Sequence, residues 1–148
     1  MNKEEHIAGL VQYVLFQANN LLKRKELDKS LYVKAVCLYG GAAKYLLKEK
    51  DYIKDYDVQV YLSKLNNYKI YDSAKFNRKG GIWPAGEFNG KPVELFFGTL
   101  PDYSDLTTLE KIFKYIKNHN SERWIRIKKD PYIILWPERM DYKNLSNI

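Results

Sequence analysis

At 148 residues, with 45% hydrophobic and 29% charged side chains, the chain has the composition of one globular domain spanning residues 1–148, and disorder is excluded as the default. One cysteine, Cys37, and two distant histidines, His6 and His119, exclude an intrachain disulfide and a structural zinc site. No apolar run approaches the roughly 18 residues of a membrane span, and MNKEEH opens no secretory signal, so a soluble, cytoplasmic protein without membrane contact is expected. The net charge of +7 favours phosphates, nucleic acid or anionic surfaces as partners, although a lysine- and tyrosine-rich composition equally arises from genome bias or a warm habitat.

From Ile7 the apolar residues Leu10, Val11, Val14, Leu15, Ala18, Leu21 and Leu22 recur at helical spacing, which predicts an amphipathic helix to about Leu27 that covers a sheet. The run YVKAVCLYGG alternates loosely and predicts a buried strand, with Cys37 as a packed thiol. Ala42 to Lys50 contains good helix formers and no breaker, so Gly40-Gly41 marks a strand-to-helix turn. In YDVQVYL, alternation places Asp55, Asp57 and Gln59 on one strand face and Tyr56, Val58 and Val60 on the other.

An irregular basic stretch through Lys79-Gly80-Gly81 precedes two β-prone runs joined by Asn89-Gly90, a strong hairpin signal. A two-residue turn there pairs Phe88 with Lys91 and Glu87 with Pro92, so Glu87 and Glu94 share a face. Leu106, Leu109, Ile112, Phe113 and Ile116 predict another helix, capped by Asp102 or Ser104. RWIRIKKDPYIILW predicts one or two short strands around Asp130-Pro131, and residues 138–148 a loosely held tail. The resulting order predicts an α+β domain, a mixed sheet with packed helices.

The chemistry concentrates at the glycine pair and the aspartate pair. A glycine turn lets backbone N–H groups and a helix N-terminus approach a phosphate. A strand carries carboxylates at i and i+2 to one face, where they suit a hard ion such as Mg²⁺ or Mn²⁺. The structural alternative is a helix-entry turn followed by a solvated edge strand. Trp124, Arg126 and Lys128 fall on one strand face, a candidate surface for stacking a base and holding phosphates, or a solvated face whose tryptophan covers the core edge. His6 and His119 lie near helix ends and suggest solvated or capping roles.

The string Tyr39-Gly40-Gly41, a gap of thirteen residues, then Asp55-Tyr56-Asp57-Val58 resembles the signature of the nucleotidyltransferase superfamily that includes polymerase β. GGAAKYLL before KDYDVQVYL is similar to the branch containing the minimal nucleotidyltransferases and the AbiEii-type toxins of toxin–antitoxin systems. The resemblance spans about Leu31 to Phe97. It implies a nucleotidyltransferase-like fold that binds an NTP, ATP first among them, with Mg²⁺ or Mn²⁺ as cofactor. It implies Asp55, Asp57 and Glu94 as catalytic metal ligands, Glu94 in PVELFF being the third carboxylate and preferred over Glu87. It further implies Gly40, Gly41 and Lys44 as nucleotide-binding residues, although Ala42, Ala43 and Lys44 stand where the family more often has serine or arginine. The acceptor of the nucleoside monophosphate is left open: a nucleic acid such as tRNA, a partner protein or a small molecule. The alternative is an inactive module of the same fold that binds nucleic acid or a partner protein.

Overall fold

The computed structural model describes residues 2–24, 31–48, 50–64, 83–99, 108, 110, 111, 114 and 131–142. Within them a six-stranded mixed sheet is packed by two helices, so the architecture is mixed α/β. Helix α1 (Lys3–Arg24) is started by a reciprocal cap: Asn2 Oδ1 accepts the Glu5 N–H at 2.8 Å while Asn2 Nδ2 donates to Glu5 Oε1 at 3.0 Å. Its stripe of Ile7, Leu10, Val14, Ala18 and Leu21 is buried, as the spacing predicts.

Strand β1 (Leu31–Tyr39) runs antiparallel to β2 (Tyr56–Lys64), and a register shift between Val33 and Ala35 resets which face each residue meets. That shift is why the sequence alternates only loosely. After it, Val36 and Leu38 join the core under the helices, while Ala35, Cys37 and Tyr39 are buried away from that cluster. Cys37 is fully buried, and burial pushes its thiol pKa up.

Helix α2 is Gly40–Leu46, not the expected Ala42–Lys50. Two terms of local geometry end it early: the Lys48 N–H turns to Tyr45 O at 3.0 Å, and Lys48 adopts φ 64°, a left-handed closure. The helix also begins on the glycines rather than after them.

Strands β3 (Trp83–Phe88) and β4 (Lys91–Thr99) form the expected hairpin, with Phe88 opposite Lys91 and Glu87 opposite Pro92. Asn89 and Gly90 both take positive φ, 50° and 76°, as a primed hairpin turn requires. A bulge between Pro84 and Glu87 centres on Gly86 at φ 72°, where Tyr13 of α1 donates its hydroxyl to Ala85 O at 2.5 Å. β4 then joins β2 in parallel, giving the order β3-β4-β2-β1-β5-β6.

Strand β5 (Tyr132–Trp136) supplies the expected strand after Asp130-Pro131. The segment from Glu138, expected to be loosely held, carries β6 (Met140–Tyr142) paired with β5, and residues 143–148 lie outside the described residues. Side-chain ion pairs account for the difference: Asp141 meets Lys3 at 3.2 Å and Arg139 at 2.9 Å, and Arg139 also contacts Glu4. Of the helix expected from Leu106 to Ile116, Glu110, Lys111 and Lys114 are described and helical. Thr108 Oγ1 accepts the Lys111 N–H at 3.2 Å, while the expected caps Asp102 and Ser104 lie outside the described residues. Among the described residues no helix is long and apolar enough to cross a membrane.

Candidate metal centre

The pairing of three strands builds a rank across one end of the sheet. Tyr39 of β1 stands opposite Asp57 of β2, and Asp57 stands opposite Glu94 of β4. Neighbouring strands lie about 4.8 Å apart, so paired side chains on one face are within reach of a shared ion. Asp55 precedes the first residue of β2 and returns to the same side two positions before Asp57. One carboxylate oxygen from each of Asp55, Asp57 and Glu94 lies within 4.8 Å of the others, and all three residues are half-buried.

Three carboxylates this close repel, by roughly 3 kcal/mol per charged pair at an effective dielectric near 20. A cation at their centre reverses that sign. Oxygens on opposite sides of one Mg²⁺ would be about 4.2 Å apart, from its ~2.1 Å bond lengths, so oxygens within 4.8 Å of one another have a spacing on the scale of a shared ion. The donor set is all oxygen, which suits Mg²⁺ or Mn²⁺ and disfavours zinc. Glu87 shares the face of Glu94 but is exposed near the turn and outside the cluster.

The glycine turn borders these acids. Gly40 has φ 71°, and a Cβ added there would stand 3.1 Å from Asp57 Oδ2. A side chain at position 40 therefore meets both a strained backbone and the carboxylate. Gly41 faces a different charge: its Cβ would lie 3.8 Å from Lys50 Nζ. Lys50 is thus an ammonium brought to the glycines. Lys44 lies in the last turn of α2, not the first, because the helix starts two residues earlier than its propensities suggest. Nothing in KEKDYIK distinguishes Lys50 from its neighbours; the early end of α2 selects it.

Tyr56, between the two aspartates, points to the opposite face and is 1% exposed. Burial, and next the neighbouring Tyr45, pushes its pKa up to about 12, so it stays neutral and shares a 2.8 Å hydrogen bond with His6 Nε2. Burial lowers the His6 pKa, with a smaller contribution from the positive N-terminus, which favours the neutral ring. His6 is thus a half-buried partner of β2 rather than a solvated helix-end residue. The Phe88 ring packs on His6, Tyr56 and Tyr13 at centroid distances of 5.9, 5.7 and 5.7 Å. This cluster clamps the hairpin that carries Glu94 against the strand that carries Asp57. Trp124, Arg126, Lys128 and His119 lie outside the described residues.

No protein-family model matches the chain, and neither a curated protein nor a solved structure matches it.

Proposed function

We propose that this chain is a small metal-dependent nucleotidyltransferase of the polymerase β-like type, in which an acceptor hydroxyl attacks the α-phosphate of an NTP, ATP first, takes the nucleoside monophosphate, gives up its proton and releases pyrophosphate. The observation that carries the reading is the convergence of Asp55, Asp57 and Glu94 within 4.8 Å, with the side-chain-free Gly40 immediately beside Asp57. Divalent ions bound by such a cluster neutralise charge at the attacked phosphate and acidify the attacking hydroxyl.

The chain's own residues divide the remaining work. Asp57, flanked by Asp55 before it and Glu94 across the ladder, would hold the ion together with them. Glu94 is aimed by the buried Val93, Leu95 and Phe97 and assists removal of the acceptor proton. Gly40 keeps the approach to Asp57 open for phosphate oxygens.

The test is Mn²⁺ binding by calorimetry, together with metal-dependent transfer from ATP labelled at the α-phosphate to tRNA and to protein acceptors. Wild type binds and transfers, and Asp57→Asn weakens Mn²⁺ at least tenfold and stops transfer while the fold persists. Equal Mn²⁺ affinity or equal transfer by Asp57→Asn would sink the site. The net charge of +7 supports a second reading, an inactive module that binds nucleic acid. Salt-sensitive oligonucleotide binding with no response to metal and ATP selects that reading.

A further inference from the structure

The cavity between the start of α1 and the α2–β2 connection belongs to neither the carboxylate cluster nor the glycine turn. It has a volume of about 340 Å³, within the range of small-ligand sites, and its wall includes Lys3, His6, Tyr45, Lys48, Lys50 and Asp51. We propose that this cavity is a phosphate-binding site, in which Lys48 and Lys50 hold the anion on the far side of the glycine turn from the metal cluster.

Charge carries the assignment. Lys3 is already engaged by Asp141 at 3.2 Å. Among the described residues neither Lys48 nor Lys50 has a carboxylate within ion-pair distance. Two ammonium groups on one concave wall, against Asp51 as the one carboxylate among the described lining residues, concentrate positive potential that a small anion offsets. A phosphate also needs neutral donors to orient it, and the Tyr45 hydroxyl and the His6 ring stand on the same wall.

The fold builds the site deliberately at the end of α2. Lys48 occupies the left-handed closing position, φ 64°, where glycine is the least strained residue, so the lysine sits there at a cost in backbone conformation. That closure turns the chain back and carries Lys50 Nζ to Gly41. The two glycines therefore separate a carboxylate on the Gly40 side from an ammonium on the Gly41 side. The bound phosphate belongs either to the polyphosphate end of a nucleotide lying over the turn or to a separate phosphate group.

The site does not depend on the metal cluster, so it is tested without metal. In EDTA, the full chain is titrated with sodium tripolyphosphate and followed by calorimetry and thermal unfolding. Wild type and Asp57→Asn show the same saturable binding, and Lys48→Gln/Lys50→Gln weakens it at least tenfold. Lys48→Gly separates binding from folding, because it relieves the left-handed lysine and raises the Tm while still weakening the anion. ATP competing with tripolyphosphate, with AMP inert, assigns the phosphate to a nucleotide tail; orthophosphate binding equally well assigns a separate phosphate group. The proposal is overturned if wild type shows only the stabilisation given by NaCl at equal ionic strength, or if the double variant binds as wild type does. Neither result bears on Mn²⁺ binding at Asp57, so the two assignments fail separately.

Discussion

Tyr56 and Asp57 are consecutive residues of β2 that face opposite worlds. Tyr56 points into the helix layer, where burial keeps it neutral against His6; Asp57 points to the rank it shares with Glu94, half-buried beside a turn with no side chain. On β4 the same division separates Leu95, fully buried, from Glu94. Strand alternation thus lets one pair of strands supply the stability of the helix face and the carboxylates of the other without either requirement compromising the other. Substitutions on the two faces should accordingly change different observables.

The largest effect is on the acid side. Asp57→Asn and Glu94→Gln should each reduce metal-dependent transfer by more than about 10²-fold, the scale of losing a preorganised electrostatic group, with the metal-free urea midpoint unchanged or raised as the repulsion among the three acids is relieved. A large loss of stability in either variant would break the division of labour. Next, Leu62→Ala, on the buried helix side of β2 and away from the acids, should cost about 2–5 kcal/mol in urea unfolding through lost burial and a cavity, while leaving transfer by the folded fraction intact.

Gly86→Ala should cost about 1–2 kcal/mol for its left-handed backbone, and more for the clash. An added Cβ there would stand 2.5 Å from the Tyr13 hydroxyl and displace its bond to Ala85 O. Tyr13→Phe, which removes that bond without the clash, should cost about 1 kcal/mol, so the order of the two in urea unfolding measures how firmly the hairpin is docked on α1.

The smallest effects are the pH slopes of the His6–Tyr56 pair. Folding lowers the His6 pKa from its ordinary 6.5, so the unfolded chain takes up this proton first as pH falls, and stability drops below about pH 6.5. Folding raises Tyr56 from 10 to about 12, so the unfolded chain releases this proton first as pH rises, and stability drops above pH 10. Unfolding midpoints across pH should show a shallower acid slope in His6→Gln and a shallower alkaline slope in Tyr56→Phe, the remaining alkaline slope belonging to other buried groups such as Cys37 whose pKa burial also raises. Unaltered slopes in both variants would mean that the pair contributes nothing to the anchoring of β2.

Much of the architecture is legible in local pattern. The stripe from Ile7 to Leu21 is a helix, Asn89-Gly90 makes the hairpin with Glu87 opposite Pro92, and Asp55 and Asp57 share one side because a strand alternates every residue. Glu94 is preferred over Glu87 for a local reason too, its buried neighbours at 93 and 95. Less legible are the ends of α2. Its propensities favour a helix through Lys50, but closure at Lys48 stops it at Leu46 and moves Lys44 into the last turn.

Periodicity and turn chemistry act over a few residues, and they suffice to specify the strands, the hairpin and the sidedness of every carboxylate in the chain's candidate site. Proximity between distant segments is another matter. The parallel pairing of β2 with β4 sets Glu94 beside Asp57, the return of the chain after α2 sets Lys50 at Gly41, and the docking of α1 sets His6 on Tyr56. None of these follows from spacing along the chain, because each depends on which apolar faces bury one another, and that choice is made only when the whole sheet is assembled.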